Sequence, residues 1–174
     1  WKGLVGSEMC IRDSIITDDF FGIILADDLI LSEPGCLKQL LEIHEKTQSS
    51  VLGVFSASEN QVSNYGVISS KNIDGIEKVD GIVEKPKPAD APSNLAVFGR
   101  YILSKDIFLN IEQTKPGLNN EIQLTDAIQD LISNQDVFAL EFEGRRFDCG
   151  SKEGYISAII DRALSIDKYK SIVE

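Results

Sequence analysis

The run Phe20-Phe21-Gly22-Ile23-Ile24-Leu25, followed by Ala26-Asp27-Asp28, constrains this chain more than any other stretch. Six residues that are apolar and rich in β-formers read as a buried strand. Two adjacent carboxylates then stand where that strand leaves the sheet, and the chain turns apolar again at Leu29-Ile30-Leu31. In an open α/β sheet the carboxyl ends of the strands are where ligands bind. Taken alone, an Asp-Asp pair is an ordinary turn or helix-cap motif. Its weight comes from what the rest of the chain sets beside it.

Strand-like and helix-like segments alternate downstream, which predicts an α/β fold with a mainly parallel sheet and helices on its faces. Ser32 caps a predicted helix that Pro34 helps start and that runs to about residue 48. Leu37, Leu40, Leu41 and His44 fall in helical register, placing the single histidine on a packed face. Strands are expected at 50–56, 67–70, 76–83, 95–103 and 137–142, with 71–75 as a hairpin turn and the proline-rich 85–92 as an extended loop. Leu124, Ala127, Ile128 and Leu131 mark one amphipathic helix, and Ile156, Ile159, Ile160 and Ala163 another. The opening "VGSEMCIRDS" fits neither period. Residues 1–14 read as non-native sequence, with one domain from 15 to 174.

A length of 174 residues, 43% of them hydrophobic and 26% charged, suits one soluble globular domain. No apolar run reaches the roughly 20 residues of a membrane span, and no secretory leader is evident. A net charge of −11 argues against nucleic-acid and anionic-membrane partners. The three cysteines, Cys10, Cys36 and Cys149, form no Cys-x-x-Cys, so neither a disulfide framework nor a zinc site is indicated. Cytoplasmic location with reduced thiols is the expectation.

Four further clusters carry chemistry. Glu84-Lys85-Pro86 fixes an acid and a base beside a rigid proline at a strand end. In Tyr65-Gly66-Val67 a glycine lets a ligand approach the backbone. Asn120 to Asp126 is rich in groups that bond sugar hydroxyls, and Arg145 to Gly150 again ends an extended run in an aspartate, Asp148. Each has a plain reading as a solvated strand end or a helix cap. Together, two strand-end aspartates with a lysine nearby suit Mg2+, which takes one or two carboxylates, several waters and the substrate's own phosphates.

The segments "LADDLI", "YGVI", "IVEKPKPADAPSNLAVFGRYIL", "NEIQLTDAI" and "RRFDCGSKEGYISAII" resemble the bacterial UTP–glucose-1-phosphate uridylyltransferases, from about residue 15 to the C-terminus. The resemblance implies a Rossmann-like mixed sheet flanked by helices, the sugar nucleotidyltransferase fold, with the family's N-terminal strands missing. It implies a Mg2+-dependent reaction of UTP with glucose 1-phosphate, in an enzyme that is a homo-oligomer at full length. Asp27 and Asp148 match the metal-binding carboxylates. Lys85 matches the lysine that grips the sugar phosphate, and Glu84 the acid that bonds glucose hydroxyls. Gly66 matches the glycine whose backbone meets the sugar. Asn94, Gly99 and Glu121 fall in segments that line the sugar pocket.

The family's Gly-rich, basic nucleotide loop and the base-reading segment after it have no counterpart here. The chain therefore reads as a C-terminal portion, inactive by itself, and base specificity among uridylyl-, thymidylyl- and cytidylyltransferases is left open. Two other classes are weighed. A signalling receiver domain shares the acid pair and a later Lys-Pro, but Ala57 and Ser58 stand where its phosphorylatable aspartate is needed. A non-catalytic sugar-phosphate-binding module is the second.

Overall fold

A computed structural model describes residues 16–116 and 122–173. The expectation that residues 1–14 are non-native, and the site assignment of Glu121, lie outside the described residues. The described chain runs β1 (Phe20–Ile24), β2 (Asp28–Leu31), α1 (Cys36–Thr47), β3 (Ser50–Ser56), β4 (Gly66–Ile73), β5 (Ile76–Glu84), β6 (Leu95–Ser104), α2 (Ile107–Gln113), α3 (Leu124–Asn134), β7 (Val137–Glu141), β8 (Arg145–Asp148), α4 (Lys152–Leu164) and α5 (Asp167–Val173).

Six strands form one sheet in the order β1-β6-β3-β7-β5-β4, and β2 and β8 pair as a separate ribbon. A single pair, Val67 with Ala96, links β4 back to β6 and curls the far edge of the sheet. The sheet is mixed, as the resemblance implies, and not mainly parallel as the alternation suggested. Among the described pairings only β3 with β7 is parallel. The reason lies in the connections. A parallel neighbour needs a crossover of a dozen or more residues. Here β4 and β5 are joined by Asp74 and Gly75 alone, both at positive φ (52° and 86°). That is the primed hairpin turn that matches strand twist, so the turn expected over 71–75 shrinks to two residues.

Helices cover both faces. Leu52, Val54, Ile68, Leu103, Ile107, Ile128 and Leu131 are buried together where α2 and α3 pack. Cys36, Leu40, Val51, Phe98 and Ile102 are buried together beneath α1. The two central strands carry near-continuous burial, as expected for strands covered on both sides.

Four local expectations are corrected. Gly35, not Ser32, occupies the N-cap of α1, and the Ser32 hydroxyl is buried without a partner among the described residues. The helix start is held instead by Gln39, whose amide donates to the Pro34 and Glu143 carbonyls, both at 2.9 Å, and accepts from the Glu143 N–H at 2.9 Å. His44 packs inward at 4.6 Å from the Phe20 ring, but Leu41 is exposed. The apolar stripe of α4 is also exposed: Ile156, Ile159 and Ile160 are 42–55% accessible, and Ala158 is the buried residue of that helix. Nor is the first strand fully buried, since Ile24 is 59% exposed. No helix among the described residues is long and apolar enough to cross a membrane.

Candidate active site

The loop between β1 and β2 divides the acid pair. Asp28 opens β2, faces inward and is buried. Its Oδ2 accepts the Gly99 N–H at 2.9 Å, and its Oδ1 lies 2.5 Å from Arg146 Nε. Its carbonyl accepts from Arg100 Nη2 at 2.6 Å, and Arg100 also bonds the Leu25 and Gly99 carbonyls. Asp28 is therefore fully engaged. Asp27, in the turn just before, is exposed.

The ribbon β2–β8 carries Asp148 to the same place, because Asp28 and Asp148 are register partners and the Cys149 N–H donates to the Asp27 carbonyl at 2.7 Å. A Cβ built on Gly150 would sit 3.1 Å from both Asp27 Oδ2 and Asp148 Oδ1. The two carboxylates thus approach one point across a residue that has no side chain. Among the described residues no group of three or more His, Cys, Asp or Glu could hold a metal. What exists is a pair of hard oxygen donors with an open side, and this fits Mg2+ if water and substrate phosphate supply its other ligands.

Asp27 and Asp148 line a cavity of about 620 Å3, together with Asp28, Tyr65, Gly66, Glu84, Lys85, Gly99, Thr125 and Arg146. The same cavity is also lined by the apolar Phe21, Ile23, Leu25, Leu103, Phe108 and Ile111. Glu84 ends β5. Its Oε2 accepts from the Thr125 hydroxyl at 2.9 Å, which docks the start of α3 against the cavity. Lys85 follows at φ 45°, an uncommon conformation for a side-chain-bearing residue and one that costs on the order of 1–3 kcal/mol. The turn at Lys85 lets two successive residues face one cavity, where a continuing strand would send them to opposite sides. Lys85 Nζ lies 3.5 Å from Glu84 Oε1, and the Lys85 N–H donates to the Tyr65 carbonyl at 3.0 Å. Gly66 is register partner to Glu84, and a Cβ there would meet Thr125 Cγ2 at 2.6 Å. Gly99 is equally confined, since its Cβ would lie 2.5 Å from that of Leu25.

The structure thus brings Asp27, Gly66, Glu84, Lys85, Gly99 and Asp148 to one cavity. Asn94 is not brought there: it lies exposed in the turn before β6, with its carbonyl accepting the Ala57 N–H at 2.8 Å.

Sequence reasoning singled out neither Arg146 nor Tyr65. The Arg146 guanidinium sits over three rings, at 4.6 Å from Phe55, 4.9 Å from Tyr65 and 5.8 Å from Phe98. Burial opposes its charge, but the Tyr65 hydroxyl and the Asp28 carboxylate outweigh that and raise its pKa. The Tyr65 hydroxyl donates to Asp148 Oδ2 at 2.8 Å and accepts from Arg146 Nη1 at 3.3 Å. Burial raises the Tyr65 pKa, with Asp148 adding to the effect and Arg146 offsetting part of it. Tyr101, also on the cavity wall, is raised mainly by burial and further by Asp28 and Glu84. Tyr65 and Arg146 both lie within family-like motifs, "YGVI" and "RRFDCGSKEGYISAII", but nothing in their spacing says that an arginine turns inward among aromatic rings.

A family model described as "Nucleotidyl transferase" matches residues 2–163. The chain belongs to the nucleotidyl transferase family. Curated relatives of this nucleotidyl transferase include a UTP–glucose-1-phosphate uridylyltransferase of Pseudomonas aeruginosa, 46% identical over 160 residues, covering 90% of this chain and 57% of the relative. One of the same name from Bacillus subtilis is 42% identical over 164 residues, covering 94% and 56%. Among solved structures, a UDP-glucose pyrophosphorylase complexed with UDP-glucose superposes with a TM-score of 0.88 at 42% identity, covering 95% of this chain and 63% of the other. The UTP-bound enzyme of Acinetobacter baumannii superposes with a TM-score of 0.82 at 32% identity, covering 98% and 61%. The chain spans a little over half the length of the curated relatives it matches.

Proposed function

We propose that this chain is the sugar-phosphate and metal side of a UTP–glucose-1-phosphate uridylyltransferase, an enzyme of carbohydrate metabolism that makes UDP-glucose and pyrophosphate in the cytoplasm and assembles as a homo-oligomer. The observation that carries the reading is the approach of Asp27 and Asp148 to one point in the cavity that also holds Glu84 and Lys85. The names of the relatives support uracil as the base.

In this reading a phosphate oxygen of glucose 1-phosphate attacks the α-phosphorus of UTP in line. The bond to the bridging oxygen breaks, and pyrophosphate leaves with the electron pair. Such a transfer requires positioning and charge stabilisation more than a protein nucleophile, which suits a site whose ionisable groups are carboxylates, a lysine, a buried arginine and two tyrosines. Lys85, exposed at the cavity mouth, meets the sugar phosphate as a point charge. Glu84, fixed by Thr125, accepts from glucose hydroxyls. The backbone at Gly66 gives the sugar close approach. Asp27 and Asp148 would hold Mg2+, which when bound neutralises charge on the triphosphate.

Calorimetric titration of the 174-residue chain with glucose 1-phosphate tests the sugar side. Lys85→Ala should weaken binding at least tenfold, about the 1.4 kcal/mol expected of a charge-assisted contact. Equal affinity in the variant would sink the assignment.

A further inference from the structure

The two halves of the site meet at one residue. Tyr65 directly precedes β4, one position before the Gly66–Glu84 register pair. Its carbonyl accepts the Lys85 N–H and so helps fix the turn that aims Lys85 into the cavity. Its side chain runs the other way, to an aspartate 83 positions later.

The direction of that side-chain relay is set by chemistry. A guanidinium can only donate, and an ionised carboxylate can only accept. Between Arg146 Nη1 at 3.3 Å and Asp148 Oδ2 at 2.8 Å, the phenolic proton must therefore lie towards Asp148. Arg146 is not free to move: its Nε is committed to Asp28, whose other oxygen is committed to the Gly99 N–H. The ring of Tyr65 is held edge-on by Phe55 at 5.2 Å. With Oδ2 occupied, Asp148 Oδ1 keeps, among the described residues, only the Gly150 N–H, at 3.1 Å, and faces Asp27.

We propose that Tyr65 is a positioning residue that joins the two halves of the site, its carbonyl fixing Lys85 and its hydroxyl, backed by Arg146, aiming the Asp148 carboxylate at Asp27. The proposal rests on the reading of Asp27 and Asp148 as a cation-binding pair. Groups that hydrogen-bond a ligating carboxylate from behind set its orientation, and their loss typically costs roughly 10- to 100-fold in metal affinity.

Tyr65→Phe tests this, because it keeps the ring, the aromatic cage and the backbone carbonyl and removes one oxygen. Its crystal structure should show the Asp148 carboxylate turned away from Asp27. Mn2+ affinity, measured by electron paramagnetic resonance with glucose 1-phosphate present, should fall roughly 10- to 100-fold. Glucose 1-phosphate affinity, which reports on the Lys85 half, should be unchanged. Equal loss of both affinities would indicate general loosening and overturn the proposal, as would an Asp148 carboxylate still aimed at Asp27. Asp27→Asn separates the two claims. If it leaves Mn2+ affinity untouched, the cation reading fails, and the orientation of Asp148 in Tyr65→Phe still decides the role of Tyr65.

Discussion

Replacing Asp28 by Ala would leave the Arg146 guanidinium, whose side chain is only 12% exposed, without the carboxylate that lies 2.5 Å away. Removing one partner of a buried pair costs about 3–5 kcal/mol, because the remaining charge is neither solvated nor compensated. Asp27→Asn alters an exposed side chain for which no protein hydrogen bond is present among the described residues, and such changes usually stay within about 0.5 kcal/mol. The expected outcome is a sharp split between neighbours. Urea unfolding should find Asp28→Ala strongly destabilised and Asp27→Asn close to the parent, whereas Mn2+ binding should be lost in Asp27→Asn. The sequence shows two acids at a strand end and cannot tell them apart. Their duties diverge only once β8, more than a hundred residues later, brings Arg146 beneath one and Asp148 beside the other. For the same reason Glu84, Lys85 and Asp148 were recognisable from local motifs and Tyr65 and Arg146 were not. A relay across 83 positions leaves no periodic trace.

Elements were legible where one segment decides its own structure. The Asp74-Gly75 hairpin needs two positive φ values, and Gly75 at 86° stands where a side chain is strained. Gly75→Ala should destabilise by about 1–2 kcal/mol with no effect on glucose 1-phosphate binding, measured by paired denaturation and titration. Strand direction was less legible, because β6 inserts between β1 and β3 and no local pattern encodes which neighbour a strand chooses. Helix α1 offers a second test. Burial raises the thiol pKa of Cys36 from 9.0 to about 11, with Arg100 offsetting part of the rise. The unfolded chain therefore releases this proton first. The contribution is fully present below pH 9 and is lost as pH climbs towards 11. Urea midpoints should fall across that window, and Cys36→Ala should remove part of the slope. An identical slope in the variant would count against the burial argument.

On the scale of the whole molecule, the cavity sets a broad apolar wall beside its polar residues. Phe21 stacks on Phe108 at 5.1 Å, and Ile23, Leu25 and Ile111 continue an apolar surface along the cavity. Ile24 and Leu25 are 59% and 43% exposed, and β1 ends the sheet order with β6 as its one strand partner among the described residues. An uncovered strand edge flanked by apolar side chains is a surface that folded proteins normally bury, and burying each such side chain contributes about 1.5–3 kcal/mol. A little under half of each relative's length lies outside the match, and on the proposed function that unmatched part carries the triphosphate-binding groups. Losing charge-stabilising groups of that kind lowers turnover by orders of magnitude. The 174-residue chain is therefore expected to make no detectable UDP-glucose from UTP and glucose 1-phosphate. Joining the N-terminal part of a homologous uridylyltransferase ahead of residue 15 should raise the thermal midpoint and produce UDP-glucose synthesis together, because the same added strands would cover β1 and complete the cavity. Robust UTP-dependent turnover by the 174-residue chain, or a chimera that folds more stably yet stays inactive, would show that the uncovered wall and the missing chemistry are unrelated.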